Sequence, residues 1–279
     1  MSRCYDVENA GFPIPEKILA ELNDPEIRME KYDKGVRFYH DGLSFRGVEI
    51  NDEDGKTEVR IAVLASEKDF ALCGRILSIL SCNGKKNITC DCDDGFVDLA
   101  YEFSPEHILE LRTSDVDMIN TFVTRVQNEG VKFPGIKRVT HIGIHTIEKY
   151  HETASDRTLL SFITDVMHET QYSQWPDYYE SSTMLIKASR PIPMKSMCKG
   201  DALFLHNYDY LLISRDENPS ADPDSMAIIK PHEFYEIAPK SYRFLDDSMC
   251  LVEPVSDSEW NEFFKKARSM THDLKKELD

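Results

Sequence analysis

Residues 59–80 read VRIAVLASEKDFALCGRILSIL and decide the fold of the first half of the chain. The run 59–64 is apolar and rich in β-branched residues, which favours a strand. Ser66 and Asp69 follow with the spacing of a capping box, and apolar residues then recur at helical spacing until Gly84. This stretch predicts a strand that leads directly into an amphipathic helix.

The segments around this pair alternate in the same way. A hairpin is predicted over 36–50, two strands over 88–92 and 97–103, a helix over 114–130, and a strand over 138–146. Residues 104–111 fit either a short helix or an extra strand. Strand, helix, strand, strand, helix, strand is the split βαβ order of ferredoxin-like domains.

The second half has shorter elements. A helix is predicted over 155–172, an extended linker over 189–200 because of its two prolines, and a final helix after Ser256 with Trp260 and Phe263 on its apolar face. Short strands are predicted between the linker and that helix, at 202–206, 208–214, 226–230, 233–237 and 248–253.

These elements predict an α+β protein. We expect an irregular lead-in over 1–34 with one short helix at 15–22, and a ferredoxin-like domain over 35–150. A helix and linker over 151–200 then lead to a smaller β-rich C-terminal domain over 201–279, closed by the amphipathic helix.

Charge is unevenly distributed along the 279 residues. The chain has 33 Lys and Arg against 50 Asp and Glu, a net charge of −17. Residues 41–120 hold 8 basic and 17 acidic side chains, and residues 201–260 hold 4 and 13. An excess of acid repels the phosphates of duplex nucleic acid and attracts basic proteins. The acidic side chains that we expect to bind a basic partner are Asp52, Glu53, Asp54, Asp216, Glu217, Asp222 and Asp224.

No complete phosphate-binding, dinucleotide-binding, serine hydrolase or zinc protease motif occurs in the sequence. We therefore expect no cofactor, and a protein-binding (interaction or inhibitory) function rather than an enzyme. Apolar runs reach only about five residues against the ~20 of a membrane helix, and no secretion signal is recognisable. The expected location is the cytoplasm, without membrane association.

Histidines and carboxylates offer an alternative function. His141 and His145 are predicted on one face of a strand, and Asp165 and His168 on the helix at 155–172. Imidazole and carboxylate pairs serve acid–base chemistry, so a small-ligand binder or an enzyme with these four residues stays open. An exposed helix face for Asp165 and His168, and two sheet histidines without a role, are the simpler interpretations.

The seven cysteines are scattered, which favours free thiols. Cys82, Cys90 and Cys92 have the spacing C-x7-C-x-C without a second pair, so we expect no bound metal.

Overall fold

A computed structural model describes residues 2–8, 13–53, 56–82, 84–126, 130–153, 156–188, 191–217, 222–274 and 276. The chain is a mixed α+β protein, which confirms the predicted class. It divides into two compact units. Unit 1 comprises residues 1–120, 134–137 and 158–168, and unit 2 comprises residues 121–133, 138–157 and 169–279.

The helices of the described residues are α1 (Pro15–Leu22), α2 (Glu67–Leu80), α3 (Leu99–Glu102), α4 (Pro105–Val126), α5 (Ile144–Thr153), α6 (Leu159–Tyr172), α7 (Pro231–Ile237) and α8 (Asp257–Ser269), with a 3₁₀ turn at Pro223–Ser225. The strands are β1 (Ser2–Val7), β2 (Ile27–Tyr32), β3 (Gly35–His40), β4 (Val48–Glu53), β5 (Lys56–Ala62), β6 (Ile88–Cys90), β7 (Asp93–Phe96), β8 (Val131–Pro134), β9 (Val139–Ile142), β10 (Tyr179–Glu180), β11 (Thr183–Ile186), β12 (Ile192–Cys198), β13 (Leu203–Leu205), β14 (Tyr210–Ser214), β15 (Met226–Ile229), β16 (Arg243–Phe244) and β17 (Cys250–Val252).

Unit 1 is built on a seven-stranded sheet of order β2-β3-β4-β5-β1-β6-β7. Strand β1 is antiparallel to both β5 and β6, so β5 and β6 run parallel to each other. Helix α2 connects these two strands along the chain. A split βαβ unit is therefore present, and the strand between its parallel members comes from the N-terminus.

The helix after β5 forms for the reason that the sequence indicates. Asp69 N donates to Ser66 Oγ at 3.1 Å and Ser66 N donates to Asp69 Oδ2 at 2.8 Å, which completes the capping box. The apolar face of α2 lies in the core of unit 1, with Phe70 and Ile76 fully buried beside Ile61 of β5.

Asp69 does more than cap its own helix. Its carboxylate also accepts the main-chain N–H groups of Phe45, Arg46 and Gly47 at 3.0–3.1 Å. One buried side chain therefore holds both the start of α2 and the turn between β3 and β4.

The N-terminal segment differs from the predicted irregular lead-in. Helix α1 is present, but residues 1–34 also supply β1 and β2 to the sheet. Tyr5 in the centre of β1 is fully buried, and Ile27 opens β2 as a core residue. Strand β1 becomes stable through pairing with β5 and β6, which lie far away in sequence, and local periodicity does not report such pairing. Strand β2 pairs with the adjacent β3.

Residues 97–126 also differ from prediction. The predicted strand at 97–103 is wrong, since α3 occupies Leu99–Glu102, with Asp98 accepting Ala100 N at 2.9 Å as the helix cap. Helix α4 then begins at Pro105 rather than at Ser114. Asp115 accepts Leu64 N at 3.2 Å and forms an ion pair with Arg3, so it serves a tertiary contact within α4 instead of opening a helix.

Helix α6 contributes to unit 1 through its first turns. Leu160, Ile163 and Met167 line a small pocket together with Phe45, Leu64 and Val116. Arg112 Nη2 of α4 donates to Thr164 Oγ1 of α6 at 3.0 Å. In the part of the chain described, no helix combines the length and apolar character that crossing a bilayer requires.

Unit 2 contains two four-stranded sheets, of orders β10-β13-β17-β16 and β11-β12-β14-β15, and the two-stranded sheet β8-β9. Ser256 Oγ accepts Glu259 N and caps α8 as predicted. Trp260 is 1% exposed and Phe263 is 2% exposed, and both belong to a core with Leu211 and Ile229 of the strands.

Two segments of unit 2 adopt structures that prediction missed. The linker expected over 189–200 contains β12, which pairs in parallel with β14 and buries Met197. The strand expected at 233–237 is part of α7, because Pro231 occupies the first turn and Glu233 Oε2 accepts Lys230 N at 2.8 Å.

The packing of α8 gives a stability prediction. Trp260→Ala removes a buried side chain whose Nε1 donates to Arg215 O, and we expect the free energy of unfolding to fall by about 3–5 kcal/mol. The adjacent exposed residue provides the control, since Asn261→Ala should change it by less than about 0.5 kcal/mol. Urea unfolding measures both free energies, with far-ultraviolet circular dichroism as the signal because it does not depend on the tryptophan that is removed. Similar decreases in the two variants would contradict the packing of α8.

Candidate functional site

The four residues of the predicted acid–base site are divided between the two units. His141 and His145 belong to unit 2, whereas Asp165 and His168 belong to unit 1. Their participation in a common site stays a prediction.

His141 lies on β9 and is 7% exposed. Its main chain is held by the loop 246–247, since His141 N donates to Asp246 Oδ2 at 2.8 Å and Asp247 N donates to His141 O at 3.1 Å. The residue is therefore fixed in the interior of unit 2 by its backbone.

His145 lies in the first turn of α5, so the strand predicted over 138–146 is wrong beyond Ile142. Its ring stacks on Tyr235 with centroids 3.8 Å apart and planes inclined by 5°. Nδ1 lies 3.3 Å from Glu148 Oε2 on the same helix. A stacked ring with a carboxylate beside it is oriented by these two neighbours.

The change from strand to helix at this point is caused by Asp247. Its carboxylate accepts Gly143 N at 2.8 Å, His145 N at 3.1 Å and Thr146 N at 3.1 Å, and also the Thr146 hydroxyl. A negative charge on the free N–H groups at a helix start is favourable. A Cβ at position 143 would lie 2.3 Å from Asp247 Oδ1, so only glycine admits this approach.

Asp246 also accepts main-chain N–H groups, two of them from its own loop. Its carboxylate accepts His141 N, Ser248 N and Met249 N at 2.6–2.8 Å. Burial raises the pKa of Asp246 to about 6, against the lowering effect of these hydrogen bonds. In the sequence both aspartates only add to the acidic count of residues 201–260, although the pair lies in a short segment, 244–249, with few other polar residues.

Asp165 and His168 lie on the exposed side of α6, as the amphipathic pattern indicates. The buried side of the helix carries Ile163, Val166 and Met167. Their exposure agrees with the simpler interpretation of this helix face.

The acidic side chains of residues 201–260 fall into two groups, those with a partner within unit 2 and those that are available. Several are engaged within unit 2: Asp209 with Lys132, Asp224 with Arg268, Glu233 with His272, Asp257 with Lys199, and Asp246 and Asp247 with main-chain N–H groups.

Other acids of the same region are available. Asp216 and Glu217 follow β14, are exposed, and form no ion pair or side-chain hydrogen bond within the described residues. Asp222 is exposed and accepts Asp224 N at 3.0 Å, which caps the 3₁₀ turn. Among the acids predicted to bind a partner, Asp216 and Glu217 are thus available, whereas Asp222 stabilises the 3₁₀ turn.

The structure describes only part of the other predicted partner-binding acids, residues 52–54. Asp52 is exposed on β4. The side chain of Glu53, the last residue of β4, and the whole of Asp54 lie outside the described residues.

Among the described residues, two groups of side chains in unit 1 have the donor atoms and spacing of metal ligands. Cys90, Asp91 and Cys92 form one group, and Asp24, Glu26 and His40 form the other, each with donor atoms within 4.8 Å of one another. Cys82, which the sequence grouped with Cys90 and Cys92, is not a member of the first group.

Neither the protein-family models, nor the curated proteins, nor the solved structures yield a match to this chain.

The burial of Asp246 predicts a pH dependence of stability. Its pKa is higher in the folded chain than the ordinary 3.8, so the folded chain binds this proton more tightly than the unfolded chain. The contribution of Asp246 to the free energy of unfolding is therefore greatest below about pH 4 and falls as the pH rises through about 6.

Urea unfolding of the wild type and of Asp246→Asn at several pH values measures this effect. We expect the free energy of unfolding of the wild type, minus that of Asp246→Asn, to fall by on the order of a few kcal/mol between about pH 4 and 7. Asp216→Asn at an exposed position is the matched control and should show no such trend. A difference for Asp246→Asn that is independent of pH would contradict the prediction.

Proposed function

We propose that this chain is a cytoplasmic, acidic interaction or inhibitory protein that recognises a basic protein partner. Asp216 and Glu217 form the centre of the recognition surface, and Asp222 lies at its edge. The observation that carries the proposal is the availability of 216–217 in a region where most other carboxylates are engaged.

Engaged carboxylates and available carboxylates differ in what a partner can gain from them. An acid that already pairs with Lys or Arg must give up that pair before it binds a new cation. Asp216 and Glu217 carry no such cost within the described residues, so a Lys or Arg from a partner adds a new interaction. The turn at Pro223–Ser225, fixed by Asp222 and by the Asp224–Arg268 pair of 2.7 Å, bounds the loop on the C-terminal side.

The net charge of −17 acts over a longer range than these contacts. At physiological salt the Debye length is about 8 Å, so neighbouring carboxylates together attract a basic surface and accelerate association. The same field disfavours duplex nucleic acid, which is our reason for a protein partner.

The architecture of unit 1 supports a finer structural proposal. The split unit of β5, α2 and β6 with β1 between the strands is the feature that unit 1 shares with ferredoxin-like domains. We regard unit 1 as ferredoxin-like in this respect, with further strands on both sides.

Charge reversal tests the proposed recognition surface. The full chain is used as bait in an extract of its source cells, and recovered basic proteins are identified by mass spectrometry and then assayed in purified form. For such a partner we expect Asp216→Lys with Glu217→Lys to lower the association rate by about tenfold or more at low salt, and higher salt to lower the wild-type rate.

A second double variant separates local recognition from net charge. Glu21→Lys with Glu106→Lys makes the same change in charge at exposed positions of unit 1, and it should lower the rate much less. Equal effects of the two double variants would contradict a surface centred on 216–217. Loss of binding in His141→Ala or His145→Ala, with the charge reversals silent, would favour the small-ligand or enzyme alternative.

A further inference from the structure

Asp24, Glu26 and His40 bring three metal-binding atoms together in unit 1. Each residue contributes one donor atom, a carboxylate oxygen or a ring nitrogen, and these atoms lie within 4.8 Å of one another. Asp24 and Glu26 belong to the turn between α1 and β2, and His40 is the last residue of β3. We call these three residues the His40 group.

The pairing of β2 with β3 places the histidine beside this turn. His40 is paired with Ile27, the residue that follows Glu26. Glu26 N donates to Asp24 Oδ1 at 3.1 Å, and Asp41 N donates to Glu26 O at 3.3 Å. The main chain of the turn is therefore fixed relative to the end of β3.

The His40 side chain gives an independent indication of a ligand. It is 8% exposed, and its Nδ1 is buried without a hydrogen-bond partner in the described part of the structure. Buried polar atoms of folded proteins nearly always have a partner. A cation between the three side chains would give Nδ1 the partner that the described residues do not supply.

Small side-chain movements complete a coordination site. Three atoms within 4.8 Å of one another share a point that is at most about 2.8 Å from each (4.8 divided by √3). Oxygen and nitrogen ligands of zinc lie at about 2.0–2.2 Å, so each donor atom moves inward by at most about 0.8 Å. Glu26 is exposed, and its carboxylate forms no ion pair or hydrogen bond within the described residues, so it can make this movement.

Asp24 keeps its partner Arg75 while it coordinates. Arg75 Nη1 lies 3.2 Å from Asp24 Oδ2, and Arg75 Nη2 also donates to Leu22 O. Asp24 Oδ1 accepts Glu26 N, and a carboxylate oxygen has a second lone pair that a metal can use. The guanidinium therefore orients the carboxylate in the way that outer hydrogen-bond partners orient metal ligands.

We propose that Asp24, Glu26 and His40 bind one divalent transition-metal ion, with water in the remaining positions. Two carboxylates balance the charge of the ion. The imidazole nitrogen favours first-row transition metals such as Mn²⁺ and Zn²⁺ over Mg²⁺ and Ca²⁺, which take oxygen ligands. The site goes beyond the proposed recognition of a basic protein, since Asp216 and Glu217 belong to unit 2.

Cys90, Asp91 and Cys92 form the other group of donor atoms, but these atoms already bind one another. Asp91 Oδ1 accepts hydrogen bonds from the two thiols, at 3.6 and 3.3 Å, and also from Cys4 N at 2.9 Å. No buried nitrogen or oxygen of that group lacks a partner in the described structure. We therefore place the ion in the His40 group.

Metal titration of the tag-free full chain tests the proposal. The protein is stripped with a chelator, reduced, and titrated with Mn²⁺, whose preference for oxygen and nitrogen ligands avoids the cysteines. We expect calorimetry to show one Mn²⁺ per chain, which Zn²⁺ displaces and an equal concentration of Mg²⁺ does not. Bound Mn²⁺ should also raise the midpoint of thermal unfolding, because it binds the folded chain.

Matched variants identify the ligands. Glu26→Gln and His40→Gln should each weaken Mn²⁺ binding by about tenfold or more, because even changes outside the ligand shell cost about 10–100-fold. Glu26 is exposed, so its variant should keep the circular dichroism spectrum and the unfolding midpoint of the metal-free parent.

Two control variants should retain one Mn²⁺ per chain. Glu30→Gln removes an exposed carboxylate of β2 outside the His40 group, and Cys92→Ser alters the other group of donor atoms. Absence of stoichiometric Mn²⁺ binding, an unchanged affinity in Glu26→Gln, or loss of Mn²⁺ in Cys92→Ser would each overturn the proposal.

Discussion

Buried aspartates that accept main-chain N–H groups hold the elements of each unit in place. Asp69 joins the start of α2 to the turn between β3 and β4, and Asp247 joins a loop near the C-terminus to the start of α5. Each carboxylate satisfies several donors that would otherwise be buried without a partner, which costs about 1–3 kcal/mol per group. The negative charge is tolerated inside because the donors surround it and because each lies at a helix start.

This constraint explains which parts of the fold were predictable. The strand at β5, helix α2 and helix α8 carry their apolar pattern and their cap in one continuous segment, so sequence reasoning found them. Strand β1 was missed because its stability comes from pairing with β5 and β6, which lie far away in sequence. Strand β2 pairs with the adjacent β3, and β12 was missed because Pro191 and Pro193 indicated a linker. The turn into α5 was missed for the same reason as β1, since its capping residue, Asp247, follows it by about a hundred positions.

The candidate sites show the same division. Counting charges located two acidic regions, but only the structure separates Asp216 and Glu217 from acids such as Asp246 that serve the fold. Spacing identified Cys90 and Cys92 as neighbours, whereas only strand pairing brings the main chain of Cys4 to the Asp91 carboxylate between them. Local sequence therefore reports residue types well, and long-range pairing decides which of them meet.

The discontinuity of unit 1 has a consequence for synthesis on the ribosome. Its first segment ends at residue 120, yet its last segment ends at residue 168, which emerges 48 residues later (168 minus 120). At about 5–20 residues per second this interval lasts about 2–10 s. Until α6 arrives, the apolar side chains of Phe45, Leu64 and Val116 lack the partners that line their pocket. These apolar side chains therefore stay without their α6 partners during a defined window of translation, and slower codons between these segments would lengthen it.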